Sequence, residues 1–191
     1  MKRRALQIAA ALLIFWGMGQ MAQGAYIHSK ASLAQMLIRR AWMKASKKGG
    51  SEKPWPWADT TPVARLISAP HHVDLVVLAG SSGRTLAFGP GHITSTALPG
   101  DHGNIAIGGH RDTHFHFLRD VEVGERFTVE SPGGERTEYQ VTSTAIVDRN
   151  DNTILRDRDD DRLTLITCYP FDAIQPGGPL RYVVTAVASP S

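Results

Sequence analysis

Cysteine is nearly absent from this chain, with Cys168 standing alone among 191 residues. A single thiol excludes an intrachain disulfide framework and any CxxC half-site, and no HExxH pattern occurs to suggest a helical zinc centre. Lysine is missing from residue 54 onward, and acids are almost missing before it, since residues 1–53 carry ten Lys and Arg against Glu52 alone. Residues 54–191 hold eleven arginines and seventeen acids, a formal charge of −6. The whole-chain pI near 9.2 therefore misleads. An acidic domain does not favour phosphate backbones, and no nucleic-acid partner is expected. Internal repeats and low-complexity tracts are also lacking, while 42% hydrophobic residues suffice for the core of one domain.

The basic segment reads as a membrane address. Lys2-Arg3-Arg4 precedes a charge-free stretch, 5–27, densest in apolar residues over 9–16. About 20 mostly apolar residues span a bilayer, so the length is sufficient although Gln7, Gln20, Gln23 and three glycines dilute it. Ala22-Gln23-Gly24 also resembles the small-x-small site of a cleaved signal. The uncleaved anchor, 1–27, is the expectation adopted here, and either reading exports the chain from about residue 28. The spacing over 28–48 predicts a basic amphipathic helix, with Leu33, Met36, Leu37, Ile38, Ala41 and Trp42 among Lys30, Arg39, Arg40, Lys44, Lys47 and Lys48. Such a helix suits either anionic headgroups or a solvated spacer. Residues 49–53 complete this segment, 28–53, as a flexible linker. Pro54-Trp55-Pro56-Trp57 stiffens the start of a domain over 54–191, with both tryptophans expected to cap its core.

Beyond Pro62 the pattern is short β-type runs separated by turns. Strands are expected at 63–67, 73–79, 85–88, 104–108, 126–130, 137–147, 163–167 and 180–188, with a hairpin turn at Pro132-Gly133-Gly134 and one helical turn over 115–120. That spacing predicts an all-β barrel or sandwich.

Three positions carry chemistry. Cys168 ends the apolar run Thr164-Leu165-Ile166-Thr167-Cys168-Tyr169-Pro170, where a lone thiol is either a nucleophile or a small core residue. His110 follows Ile105-Ala106-Ile107 and two glycines that would let a backbone or a substrate approach closely. Its imidazole suits acid–base work, and the cluster His110, His114 and His116 equally allows a metal site or a plain structural role. Arg181 heads the run Leu180-Arg181-Tyr182-Val183-Val184. A surface arginine there is ordinary, but beside a thiol and an imidazole its fixed cation would stabilise the oxyanion formed when a thiolate attacks a carbonyl.

Taken together, these motifs resemble the sortases. Thr164-Leu165-Ile166-Thr167-Cys168 matches that family's TLxTC signature, and His110 and Arg181 complete its His, Cys and Arg set in order. Pro54-Trp55-Pro56-Trp57-Ala58-Asp59 and Gly108-Gly109-His110-Arg111-Asp112-Thr113-His114-Phe115 look like the class D-like sortases, particularly the Gram-negative group called class GN. The resemblance implies an eight-stranded sortase-type β-barrel with one or two short helices, behind an N-terminal membrane helix and the basic helix. It implies a cysteine transpeptidase of the bacterial inner membrane, single-pass, with its catalytic domain on the periplasmic side. Its substrate would be a secreted protein with an LPxTG-like C-terminal sorting signal, and its second partner an amine acceptor. Cys168 would be the nucleophile, His110 the proton carrier and Arg181 the orienting cation, with Thr167 and Tyr169 as flanking substrate contacts.

Some sortases bind Ca²⁺ through acids in loops near the catalytic strand, which makes Asp157, Asp159, Asp160 and Asp161 candidate ligands. No EF-hand pattern is present and Arg156, Arg158 and Arg162 interleave these acids, so a self-paired solvated turn is expected and no cofactor is required. Two other readings are open: a periplasmic cysteine hydrolase that releases its product to water, and a non-enzymatic metal-binding anchor protein using the histidine cluster. An L,D-transpeptidase is disfavoured, because its Ser-His-Gly-Cys stretch is absent.

Overall fold

A computed structural model describes residues 2–156, 160–175 and 177–189. Two compact units divide the chain at residues 36 and 37. Helix α1, Lys2–Lys48, runs unbroken through what the sequence suggested were two separate helices. In the first unit it leaves Leu12, Leu13, Ile14, Phe15, Trp16, Met18 and Met21 exposed. Among the described residues no helix is long and apolar enough to cross a membrane.

The second unit is the barrel, entered through the last turns of α1, where Ile38, Ala41, Trp42 and Ala45 are buried. Eight strands follow: β1 (Pro62–Ser68), β2 (Val73–Ala79), β3 (Gly91–His92), β4 (Asn104–Gly108), β5 (Arg126–Glu130), β6 (Arg136–Asp148), β7 (Arg162–Tyr169) and β8 (Leu180–Ala188). They close in the order β1-β2-β3-β4-β7-β8-β6-β5. Closure leaves no long free edge of unpaired amides. Alternation supplies the core: β1 alternates buried and half-buried residues along its length. Ala64, Leu66, Ile105, Ile107, Phe127, Leu163, Leu165, Val184 and Ala186 meet in one cluster.

Residues 85–88 are not a strand. Ser82 accepts a hydrogen bond from the Thr85 amide and caps the short helix α2, Gly83–Leu86, a serine cap outweighing the weak β pattern of four residues. Strand β3, only two residues long, has no counterpart in the expected set. Trp57 does not cap the core, being 83% exposed. Trp55 does pack, edge-on to Phe88 with ring centroids 5.3 Å apart.

Candidate active site

Two strand pairings bring the chemistry-bearing residues together. Strand β4 runs parallel to β7 with Gly108 opposite Ile166, and β7 runs antiparallel to β8 with Cys168 opposite Arg181. The pleat sends alternate residues to opposite faces. Since Leu163 and Leu165 are in the core, Thr164, Ile166 and Cys168 occupy the outer face. Directly opposed residues carry their Cβ atoms about 4.5 to 5.5 Å apart, so Arg181 stands beside Cys168 on that face. The thiol is free and half-buried. The Arg181 guanidinium, also half-buried, donates through Nη1 to the carbonyls of Gly178 and Leu180, both at 2.8 Å.

His110 lies one residue past a doubly pinned glycine. The Gly109 amide donates to the Ile166 carbonyl at 3.0 Å, and the Thr167 hydroxyl donates to the Gly109 carbonyl at 2.8 Å. Thr167 is 2% exposed and faces the barrel interior, where its bond to Gly109 fixes the end of β4. Tyr169 falls on the same face as Thr167, its ring 6.2 Å from that of Phe171 and 6.3 Å from that of Tyr182. The pleat thus turns it away from the Cys168 face as well.

The two glycines before His110 do different work. A Cβ on Gly109 would lie 2.6 Å from the Phe115 ring, whereas the same atom on Gly108 would meet only the Gly91 carbonyl at 4.0 Å. An aromatic ring, rather than a backbone or substrate, is what needs Gly109, while Gly108 lies on the open outer face. Phe115 in turn donates its amide to the His110 carbonyl at 3.0 Å. The expected helical turn follows as a 3₁₀ segment, His116–Asp120.

His110 and His116 are exposed and His114 half-buried. Burial holds the His114 imidazole below its ordinary pKa, and the neighbouring charge of His110 adds to the effect. His116 Nε2 lies 3.4 Å from Arg119 Nη1. Among the described residues no three His, Cys, Asp or Glu side chains converge as a metal site would need, and the histidine cluster is thus dispersed. Of the Ca²⁺ candidates, Asp157 and Asp159 lie outside the described residues. Asp160 pairs with Arg162 through both carboxylate oxygens. Asp161 accepts the Gly103 amide at 2.8 Å and faces His102 Nδ1 at 2.9 Å. These bonds hold its carboxyl below the usual range, the Gly103 amide first.

Two polar residues with no assigned role in the sequence support this face. Asn104 is fully buried at the head of β4. Its Oδ1 accepts from the Thr164 hydroxyl at 2.7 Å, and its Nδ2 donates at 2.9 Å to the carbonyl of Ile154, in the 3₁₀ segment Asn152–Leu155. Arg111 is 3% exposed and reaches into the loop between β7 and β8. An Asn or Arg abutting an apolar strand is the only signal the sequence offers for either.

The family model described as Sortase domain matches residues 67–189. Sortase D of Bacillus subtilis (strain 168) is 32% identical over 114 residues, 59% of this chain and 57% of that protein. The chain thus spans a little over half the length of that curated relative. Among solved structures, sortase C-1 of Actinomyces oris is 31% identical with a TM-score of 0.60, covering 68% of this chain and 75% of that one. A Clostridium perfringens sortase D5 transpeptidase, 22% identical, shares the fold with a TM-score of 0.68 over 83% of this chain and 99% of its own. An eight-stranded closed barrel, a TLxTC strand and a family match over most of the barrel lead to one conclusion: the chain belongs to the sortase family of cysteine transpeptidases.

Proposed function

We propose that this sortase cleaves an LPxTG-like C-terminal sorting signal through a thioacyl intermediate on Cys168 and passes the acyl group to an amine. The observation carrying this reading is the register that sets Cys168 opposite Arg181 while the parallel strand beside it ends at Gly108, two residues before His110. With the thiol proton passed to His110, Cys168 Sγ attacks the carbonyl carbon of the scissile bond, between Thr and Gly in such a signal, and the carbonyl oxygen takes the negative charge. Arg181, whose guanidinium carries five N–H donors, stabilises that oxyanion. Collapse breaks the C–N bond as His110 gives a proton to the leaving amine, leaving a thioester and free amine. An incoming amine then loses its proton to His110, attacks the thioester carbon and releases the Cys168 sulfur.

Within the family we assign the chain to the class D-like sortases of Gram-negative bacteria. The Pro-Trp-Pro-Trp-Ala-Asp segment supports this, as does the identity with a sortase D. We further assign it to the inner membrane with the barrel on the extracytoplasmic side. Support comes from the exposed apolar residues of α1 behind Lys2-Arg3-Arg4. Extraction of the full chain by alkaline carbonate decides whether α1 is integral or peripheral.

The catalytic test combines purified protein, an LPxTG-type peptide and hydroxylamine as the amine. Mass spectrometry should find a thioester on Cys168 and the peptide hydroxamate as product. Release of free acid alone, even with amine in excess, would indicate a hydrolase. Near-normal turnover by Cys168→Ala or His110→Ala would overturn the assignment altogether.

A further inference from the structure

Arg111 follows His110 directly, yet its side chain leaves the outer face and is buried beneath the loop that joins β7 to β8. Its Nη1 donates to the Pro170 carbonyl at 2.7 Å, and its Nη2 to the carbonyls of Ala173 at 2.5 Å and Gln175 at 3.1 Å. Nε reaches the exposed Asp112 carboxylate at 3.3 Å. A guanidinium offers five donors in a rigid plane, so a single side chain here binds three separate carbonyls of one short loop. Burying a permanent cation is costly, and a neutral amide could reach only one or two of those carbonyls. Placing this charge against loop backbone is therefore a means of fixing the loop as a whole.

That loop has Cys168 two residues before its first fastened carbonyl, at Pro170. Its far end supplies Gly178 and Leu180, whose carbonyls hold the Arg181 guanidinium. We infer that Arg111 is a positioning residue: it locks the β7–β8 loop so that Arg181 stays over Cys168, and it does so from the residue adjoining His110. The inference rests on the reading of Cys168, His110 and Arg181 as the reacting set. Loosening the lock should leave the thiol present but the oxyanion cation misplaced, an effect on kcat rather than on peptide binding.

The test uses the full chain as Arg111→Lys and Arg111→Gln, each checked for fold by circular dichroism and normalised to reactive Cys168 by thiol titration. We expect kcat per titrated thiol to fall tenfold to a hundredfold with KM changed less than threefold. Amide exchange at Ala173 and Gln175 should accelerate while β4 and β7 keep their protection. As a second route that leaves Arg111 and the core intact, two glycines inserted between Asp172 and Ala173 should reproduce the kcat loss. A normalised kcat within twofold of the parent in the substitutions, or in the insertion variant should the substitutions not fold, overturns the inference and leaves the catalytic assignment standing. Activity surviving in Cys168→Ala would instead remove the assignment on which it rests.

Discussion

The two ends of the β4–β7 ladder are built differently. At its head the outer face is closed by partnered polar groups: Thr164 bonds to Asn104, Asn104 holds the Ile154 carbonyl, and Asp161 binds the Gly103 amide. At its tail the same face opens, with Gly108 and Cys168 half-buried and His110 exposed. Between the two ends the strands are fixed in register by five opposed pairs. A slip of one residue would turn Cys168 into the core. The closed end thus supplies the register that the open end needs, and the reactive groups themselves can remain accessible.

This division can be broken experimentally. Cys168→Ala should carry the largest effect, lowering turnover of an LPxTG-type peptide more than a thousandfold while the thermal midpoint stays within about 2 °C, as expected when a small half-buried side chain loses only its sulfur. Asn104→Ala should do the reverse. It leaves the Thr164 hydroxyl and the Ile154 carbonyl unpartnered in a buried site, costing about 2 to 3 kcal/mol in urea unfolding with kcat per titrated thiol nearly kept. A large kcat loss in Asn104→Ala would show that the two ends are not separable. Gly109→Ala pushes a methyl group into the fully buried Phe115 ring, for about 1 to 3 kcal/mol. It should also lower kcat, because the ring and His110 share one turn.

The smallest effect concerns pH. His114 titrates below its ordinary range in the folded protein because of burial and then the charge of His110. The unfolded chain therefore binds a proton that the folded chain resists, and this residue's contribution to stability declines as pH falls below about 6.5. His114→Gln should remove that slope, so its thermal midpoint should gain on the parent's on acidification. A constant difference between pH 7.5 and 5 would reject the burial effect.

Much of this architecture was legible because period-two alternation is strong in long strands. The bounds of β2, β4, β5 and β8 agree with the pattern read from the sequence, as do the turn at Pro132-Gly133-Gly134 and the 3₁₀ segment. What escaped was set by tertiary partners. Gly91–His92 is too short to show a period, and its pairing with both β2 and β4 makes it a strand. Residues 85–88 looked extended until Ser82 supplied a cap. Thr167 adjoins Cys168 in sequence, yet the pleat sets the two on opposite faces of β7. Arg111 sat in plain view beside His110, and only the loop folded over it gives its charge a purpose.

The parallel pairing has a consequence in time. The hydroxyl of Thr167 and the carbonyl of Gly109 are 58 residues apart in sequence, and the intervening β5 and β6 lie elsewhere in the barrel. Contacts of such separation form late, since the entropy of closing the loop comes before any reward. Until that closure the strand pairings that bring His110 and Arg181 toward Cys168 have not formed. On the proposed mechanism the nascent chain therefore carries its nucleophile disarmed, and folding itself is the activating step.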